Sequence, residues 1–456
     1  MENRDEIFEE LNSLLLDKKY ADFMRRIDEL NDIDAAEYLE SLPAELMLSA
    51  FRMLKKDAAA GIFSFMELDL QESLINRMSD SELSMIIEDL FVDDAVDILE
   101  ELPAMIVKRI LKLSRPETRD LINKFLSYPE DSAGSVMTAE YIDLHKGMTV
   151  SQAIDNIRKK GFDKETVYVA YVTNESRVLE GIVSLKDLIF AKPDELIGDI
   201  METEILCANT LDTQEEVVAM IQKYDMLALP IVDKENRLVG IVTVDDALDV
   251  IEEEATEDIE KMAAIVPGDK PYMRAGVFEI WKTRIPWLLL LMLSATFTGQ
   301  IIAGFESKLA AIPALIAFIP MLMGTGGNSG GQSSVTIIRG LAVGEIENSD
   351  IWSIIWKETR VALLCGAVLS VCNFIKIILV DNLLFHNEVS IEANIVVSLT
   401  LVLTVLVAKI VGSALPVAAK KIGLDPAVMA SPFITTIVDA VSLLIYFAIA
   451  SVVLLN

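Results

Sequence analysis

One carboxylate stands alone in an apolar stretch. Across residues 430–455 the only charged side chain is Asp439. The stretch is longer than the about 20 residues needed to cross a bilayer. A charge within such a span costs at least ~2.5–3.5 kcal/mol and normally faces a bundle interior or a water-filled path. No basic residue in the segment can pair with it. Asp439 therefore either hydrogen-bonds a neighbouring helix near an interface or touches a cation pathway. The run Gly324-Thr325-Gly326-Gly327-Asn328-Ser329-Gly330-Gly331-Gln332 offers ligands for the second case. Its carbonyls and the amides of Asn328 and Gln332 are hard oxygen donors. Small residues also let helices pack closely, but packing does not require the amides. The expectation is irregular backbone, which membrane depth tolerates only where it is buried or lines water. Asp425, in Gly423-Leu424-Asp425-Pro426, adds a carboxylate just before the last helix.

More carboxylates gather earlier in the chain. Glu88, Asp89, Asp93, Asp94 and Asp97 form one cluster, with Asp93 and Asp97 four apart. On a helix that spacing gives one face, and like charges there are destabilising unless something neutralises them. Asp246, Asp249, Glu253, Glu257 and Glu260 advance by three, four, four and three, which makes one acidic stripe. Either group is a solvated face or the wall of a cation site.

These groups must be positioned by two very different halves. The 456 residues are 52% hydrophobic, with a mean hydropathy of +0.41, yet the formal charge is −32. Residues 284–456 carry 9 basic and 10 acidic side chains, so nearly all of that charge lies in the first 283. An acidic half of this kind repels nucleic acid and anionic lipid and attracts cations. The three cysteines have no metal-ligand spacing, and His145 and His386 converge on no site. No nucleophile–base set or phosphate loop is evident, so an enzyme is not expected. The charged start of the chain lacks a signal peptide's apolar core, so the acidic half is expected in the cytosol.

Residues 1–133 carry apolar positions at helical spacing, with Pro43 and Pro103 in plausible first turns. They predict a solenoid-like stack of short helix pairs. Residues 134–200 and 201–254 repeat one pattern: helix, strand, polar hairpin turn, strand, helix. The predicted helices are 151–160 and 214–224, and the strands 167–172, 179–184, 227–232 and 238–243. Residues 255–281 predict a connecting helix broken at Pro267-Gly268. Residues 282–456 predict five spans, at 285–305, 312–341, 354–380, 395–418 and 430–455. Lys282, Arg284, Arg339, Lys357, Arg360, Lys420 and Lys421 cluster on one side, which predicts a cytosolic N-terminus and an extracytoplasmic C-terminus.

The doubled Gly-Ile-Val-Ser/Thr element, at Gly181 and Gly240, resembles that of tandem CBS domains. In that family an aspartate of the element can hold a nucleotide ribose. Asp187 and Asp245 take that place, and helix capping is the other explanation for both. Acidic helical domain, CBS pair, five spans and the Gly-Thr-Gly-Gly-Asn-Ser-Gly-Gly-Gln motif together resemble the MgtE family of Mg²⁺ channels across essentially the whole chain. The resemblance implies a homodimer in the cell (inner) membrane, with one pore lined by the second and fifth spans. Pore-lining residues would be Gly326, Gly327, Asn328, Gln332, Ser431 and Thr435. Asp439 matches the selectivity carboxylate and Asp425 the one at the cytosolic mouth. Asp93, Asp97, Asp225, Asp246, Asp249, Glu254, Glu257 and Asp258 fall where the family senses Mg²⁺. Thr213 stands where an acid is expected, with Asp212 and Glu215 as substitutes. ATP at the CBS pair is a further implied ligand.

Elementary chemistry agrees with the resemblance. Mg²⁺ is hard, prefers oxygen and gives up water reluctantly. The expected cycle is passive uptake, shut when cytosolic Mg²⁺ bridges the acidic faces of the helical domain, CBS pair and connecting helix. A cation-coupled secondary carrier is the alternative, as is a membrane-anchored nucleotide sensor. The second of these leaves Asp439 without a role.

Overall fold

The computed structural model describes residues 4–268, 272–273, 275–306, 313–429 and 431–454, apart from the side chains at 57, 101, 163 and 431. Two compact units result, Met1–Ile251 and Glu252–Asn456.

The first unit begins with ten short helices: α1 (Arg4–Leu16), α2 (Tyr20–Ile27), α3 (Asp32–Glu40), α4 (Ala44–Phe51), α5 (Lys56–Ser64), α6 (Leu68–Arg77), α7 (Asp80–Asp89), α8 (Val92–Glu101), α9 (Ala104–Leu113) and α10 (Pro116–Phe125). Local chemistry sets their starts. Ser79 and Glu82 form a reciprocal capping box at α7, and Asn31 accepts from the Ile33 N–H at α3. Pro43 and Pro103 stand one residue ahead of the first turns of α4 and α9, at the cap itself. Alternate helices stack: α3 on α5, α5 on α7, α7 on α9 and α8 on α10. Each contributes buried side chains such as Leu39, Phe63, Leu83, Val96 and Ile110. Full burial of such a side chain is worth ~1.5–3 kcal/mol.

The two repeats follow. In the first, β1 (Ile142–Leu144) runs parallel to β2 (Val169–Thr173), and β2 is antiparallel to β3 (Leu179–Ser184). In the second, β4 (Ala208–Asn209) is parallel to β5 (Ala228–Val232), and β5 is antiparallel to β6 (Leu238–Thr243). The hairpin strands lie within two residues of their predicted places. The sequence does not reveal β1 and β4, because two or three residues cannot establish an alternation. The repeats also contribute α11 (Val150–Lys160), α12 (Leu185–Phe190), α13 (Ile197–Ile200), α14 (Gln214–Tyr224) and α15 (Val244–Met262). Their hairpins meet head to head, with Leu179 N–H donating to Asn236 O and Leu238 N–H to Arg177 O. The helical domain shares one core with the second repeat through Phe125, Ala133, Met137, Val217, Leu229 and Val242.

The second unit holds α16 (Val277–Gly304), α17 (Ile319–Ala342), α18 (Ile351–Lys376), α19 (Ile391–Lys421) and α20 (Ser431–Leu454). A π-helical stretch, Ile377–Leu384, prolongs α18. Helix α17 packs on α19 and α20, α18 on α19, and α16 on α20. Four helices among the described residues are long and apolar enough to cross a membrane: α16, α18 with its extension, α19 and α20. The sequence predicts five. Helix α17 is the difference: its 24 residues span ~36 Å at 1.5 Å each, but its glycines, serines and amides lower its hydropathy. The predicted start of that span, residue 312, lies outside the described residues, as do Ala430 and Leu455.

Two further expectations change. The glycine-rich run is a continuous helix rather than irregular backbone, because its glycines are spent on close packing. The connecting helix does not begin afresh at residue 255 but continues the last helix of the second repeat, and it ends at Met262, ahead of the break expected at Pro267-Gly268. Helix α15 runs unbroken from the second repeat to Met262, and α16 begins at Val277, which puts the amphipathic lead-in on the first membrane helix.

Candidate functional site

Glycine lets α17 approach its neighbours. A Cβ on Gly326 would come within 2.8 Å of the Thr404 and Val438 side chains, and one on Gly327 within 2.9 Å of Thr435. On Gly330 it would meet Ile434 at 2.7 Å and the Ala408 carbonyl at 3.1 Å. Gly412 of α19 faces the Gly330 carbonyl oxygen so closely that any side chain there would collide with it. With this face committed to α19 and α20, Asn328 and Gln332 are left exposed on another edge of α17, one turn apart.

Thr435 and Val438, which touch the glycine face, flank Asp439 on α20. Gly326 meets Val438, so the turn of α17 that leads into Asn328 lies beside Asp439, and Gln332 lies further toward the start of α20. Asp439 is half-buried, and its Oδ1 has no hydrogen-bond partner among the described residues. That oxygen is buried, so its capacity to accept is unspent inside the bundle. Ser431 opens α20, but its side chain lies outside those described.

Asp425, expected at the cytosolic mouth, is engaged by the end of α15. Lys261 Nζ lies 2.7 Å from Asp425 Oδ2 and 2.6 Å from Glu257 Oε1. Asp425 Oδ1 accepts the Ala427 N–H at 2.8 Å. Met262 packs against Ile338 of α17 and Ala427. Burial alone would lower the Lys261 pKa, but hydrogen bonds from the ammonium to Asp425 and Glu257 raise it. Asp258 is pushed up by burial and by the Asp425 charge. Lys261 thus stands between Glu257 and Asp425.

In the first unit, carboxylates converge from four places. Asp93 and Asp94 open α8, Asp246 opens α15, and Glu140 and Glu165 lie in the first repeat. Burial and the charges of Asp94, Asp246, Glu140 and Glu165 raise Asp93 well above the usual carboxylate range. Burial, Asp246 and Glu140 push Asp94 up to about 6. Burial, with Asp246, Asp245, Asp94 and Glu140, pushes Glu165 up to about 7. Asp93 Oδ1 is buried without a hydrogen-bond partner. No group of three or more His, Cys, Asp or Glu among the described residues is already drawn to metal-ligand spacing. Asp94 is the charge that raises Asp93 most, and Asp97 lies exposed on the same helix.

The remaining predicted residues do structural work or stand apart. Asp187 is the third residue of α12, and its carboxylate accepts from the Ser184 N–H and hydroxyl in a capping box. Its equivalent is Asp246, which accepts from the Thr243 N–H and hydroxyl, and not Asp245. The Ser/Thr-x-x-Asp spacing settles that register. Asp225 terminates α14 in the left-handed conformation, with φ 51°. Thr213 caps α14 by accepting from Glu216 N–H, and Asp212 accepts from Asn209 N–H, so both are occupied in turns. Asp249 is exposed and Glu254 half-exposed on α15.

Sequence reasoning misses Glu140, Glu165, Lys261 and the intramembrane Lys409. Only Lys409 carries a signal of its own, as a lone charge in the middle of an apolar 31-residue helix.

Comparisons with known proteins bear on the whole chain. The family profile for the divalent cation transporter MgtE matches residues 319–449, that for the MgtE intracellular N domain residues 30–131, and that for the CBS domain residues 133–194 and 197–253. The chain is 38% identical over 432 residues to the magnesium transporter MgtE of Thermus thermophilus, covering 94% of each. It is 34% identical over 451 residues to that of Bacillus subtilis, covering 98% of this chain and 97% of the other. A crystal structure of the soluble part of a magnesium transporter is 30% identical, with a TM-score of 0.54 over 56% of this chain and all of that one. The cytosolic domain of the Mg²⁺ channel MgtE in complex with ATP is 35% identical, with a TM-score of 0.50 over 53% of this chain and 98% of that one.

Proposed function

The chain belongs to the MgtE family of magnesium transporters, and from that premise we propose that it is a Mg²⁺-selective channel for passive uptake, closed by cytosolic Mg²⁺. It is a multi-pass membrane protein and not an enzyme. The observation that carries the channel reading is Asp439: a carboxylate in an apolar helix, its Oδ1 buried and unpartnered, beside the glycine turn of α17 that leads into Asn328. A hard divalent cation that keeps much of its hydration shell suits that donor set. An inside-negative potential supplies ~4.6 kcal/mol per 100 mV for a doubly charged ion, so no coupled ion is needed.

Helix α17 acts as a fifth span in this reading. Asn328 and Gln332 face out of a single chain, which favours a homodimer whose two α17 and two α20 helices enclose the path. The basic loops favour a cytosolic N-terminus. Closure is a two-state equilibrium biased by Mg²⁺. In the first unit the ion relieves repulsion among Asp93, Asp94, Glu140, Glu165 and Asp246. The resemblance adds Asp97, Asp225, Asp249, Glu254, Glu257 and Asp258 to the sensing surface. The ATP complex of the solved cytosolic relative supports a nucleotide site at the CBS pair, with Asp187 the residue that the resemblance offers for the ribose.

The direct test is Mg²⁺ flux into proteoliposomes. Asp439→Ala should abolish flux or ion preference while insertion is retained. Parent-like flux and selectivity in that variant would sink the reading.

A further inference from the structure

Three membrane helices meet at a charged cluster that transport has not yet required. Lys409, in the middle of α19, is 5% exposed. Its Nζ donates to Ser333 Oγ of α17 at 3.2 Å and lies 3.7 Å from Glu358 Oε2 of α18. Ser333 in turn donates to Glu358 Oε2 at 2.6 Å. The direct ion pair is long, and the hydroxyl spans it. Ser333 is 2% exposed and spends a donor and an acceptor on opposite charges.

This cluster answers a problem posed by α17 itself. Its packing face is built from Gly326, Gly327, Ser329, Gly330, Gly331 and Ser334, all buried. Such a face allows close approach but has few protrusions to fix rotation or translation. A helix advances about 100° per residue, since 3.6 residues make a turn. A slip of one residue would swing Asn328 and Gln332 out of the edge they occupy. Buried polar groups are best attested as devices that set register, and an ionisable residue inside a membrane is by default a functional one. Ser333 directly follows Gln332, so fixing one fixes the other.

We propose that Ser333, Lys409 and Glu358 form a buried clamp that sets the register of α17 and thereby holds Asn328 and Gln332 toward the conduction path. These are positioning residues, and none contacts the ion. The inference rests on the reading of α17 and α20 as that path.

The test uses the full chain in proteoliposomes, with initial Mg²⁺ flux measured against Mg²⁺ concentration and thermal unfolding followed in detergent. Ser333→Ala removes the tie to α17 and leaves both charges in place. It should lower maximal flux about tenfold, equivalent to ~1.4 kcal/mol, at an unchanged unfolding midpoint. Lys409→Met should lower flux as much and, because it leaves Glu358 without its cation, should also lower the unfolding midpoint, and Lys409→Arg should keep parent-like flux. Ser333→Ala within twofold of the parent would overturn the clamp. If Ser333→Ala fails to insert, the charge-free pair Glu358→Gln with Lys409→Met decides: parent-like flux overturns the proposal and reduced flux in an inserted protein supports it. Asp439→Ala, run alongside, separates the two readings. Parent-like flux there defeats the conduction path itself, whereas its loss beside an unaffected Ser333→Ala defeats only the clamp.

Discussion

In the first unit, Asp93, Asp94, Glu140, Glu165 and Asp246 repel one another, with no lysine or arginine ion pair to any of them among the described residues. In the second, Glu257, Asp258 and Asp425 gather around the Lys261 ammonium. Both are acidic clusters that draw on helix ends, but their compensation differs. The first leaves neutralisation to protons or soluble cations, so its state follows their concentration. The second carries its cation covalently, so its contact persists when free cations are scarce. A sensor needs the first arrangement, and a latch that re-forms reliably needs the second.

The largest effect should come from titrating the first cluster. Asp94 and Glu165 rise from the ordinary 3.8 and 4.5 to about 6 and about 7. For acids whose pKa is raised by folding, the stabilising contribution is fully present below the ordinary value and is lost as pH climbs through the raised one. Without divalent cations, the first unit should therefore gain stability on acidification from pH 8 to pH 5. A tenfold change in proton affinity between folded and unfolded chain is worth ~1.4 kcal/mol; discounted for partial exposure and mutual coupling, the gain is ~3–5 kcal/mol. Thermal unfolding of the full chain in EDTA measures it. Mg²⁺ at pH 8 should reproduce most of the gain, and adding Mg²⁺ at pH 5 should add little. A flat pH profile would show that the carboxylates are solvated after all.

Asp94→Asn should come next, with a stabilisation of ~2–3 kcal/mol at pH 8 without Mg²⁺. It should also flatten the pH dependence and weaken the Mg²⁺ response, because an amide ends repulsion but cannot ligate. Lys261→Met attacks the other side of the comparison. It leaves Asp425, Glu257 and Asp258 without their ammonium, and closure should then require about tenfold more Mg²⁺, a change of ~1.4 kcal/mol. Protease protection of α15 against Mg²⁺ concentration reads that change. Curves that overlay the parent's would make Lys261 a bystander.

How much of this is legible depends on range along the chain. The acidic stripe of α15, the doubled hairpins and the glycine run of α17 are local patterns, and each is where periodicity places it. The conformation of α17 is not legible, because glycine density signals both broken backbone and close packing, and only the facing residues decide. Here Gly412, Ala408 and Ile434 decide for packing. Glu140 and Glu165 join the acidic pocket through tertiary folding that no spacing announces. Ser333 and Lys409 are 76 residues apart. The capping aspartate of the second repeat is Asp246, one position beyond the expected Asp245, although Thr243-x-x-Asp246 repeats Ser184-x-x-Asp187.

That last pair gives the smallest effect and the sharpest form of the comparison. Asp187 and Asp246 occupy equivalent places in the two repeats and make the same cap, each accepting from the backbone and hydroxyl of the residue three before it. Loss of such a cap costs ~1 kcal/mol. Asp187→Ala, at an exposed site, should lose that amount and leave the Mg²⁺ response unchanged. Asp246→Ala loses the same cap, but it also removes a charge that presses on Asp93, Asp94 and Glu165. The two effects oppose each other. At pH 8 without Mg²⁺ the variant should be neutral or more stable than the parent, and at pH 5, where the pocket is largely protonated, it should be less stable by the cap alone. Unfolding midpoints of the two variants at both pH values test this. If both lose the same amount at both pH values, the repeats are equivalent and the pocket around Asp246 has no energetic consequence.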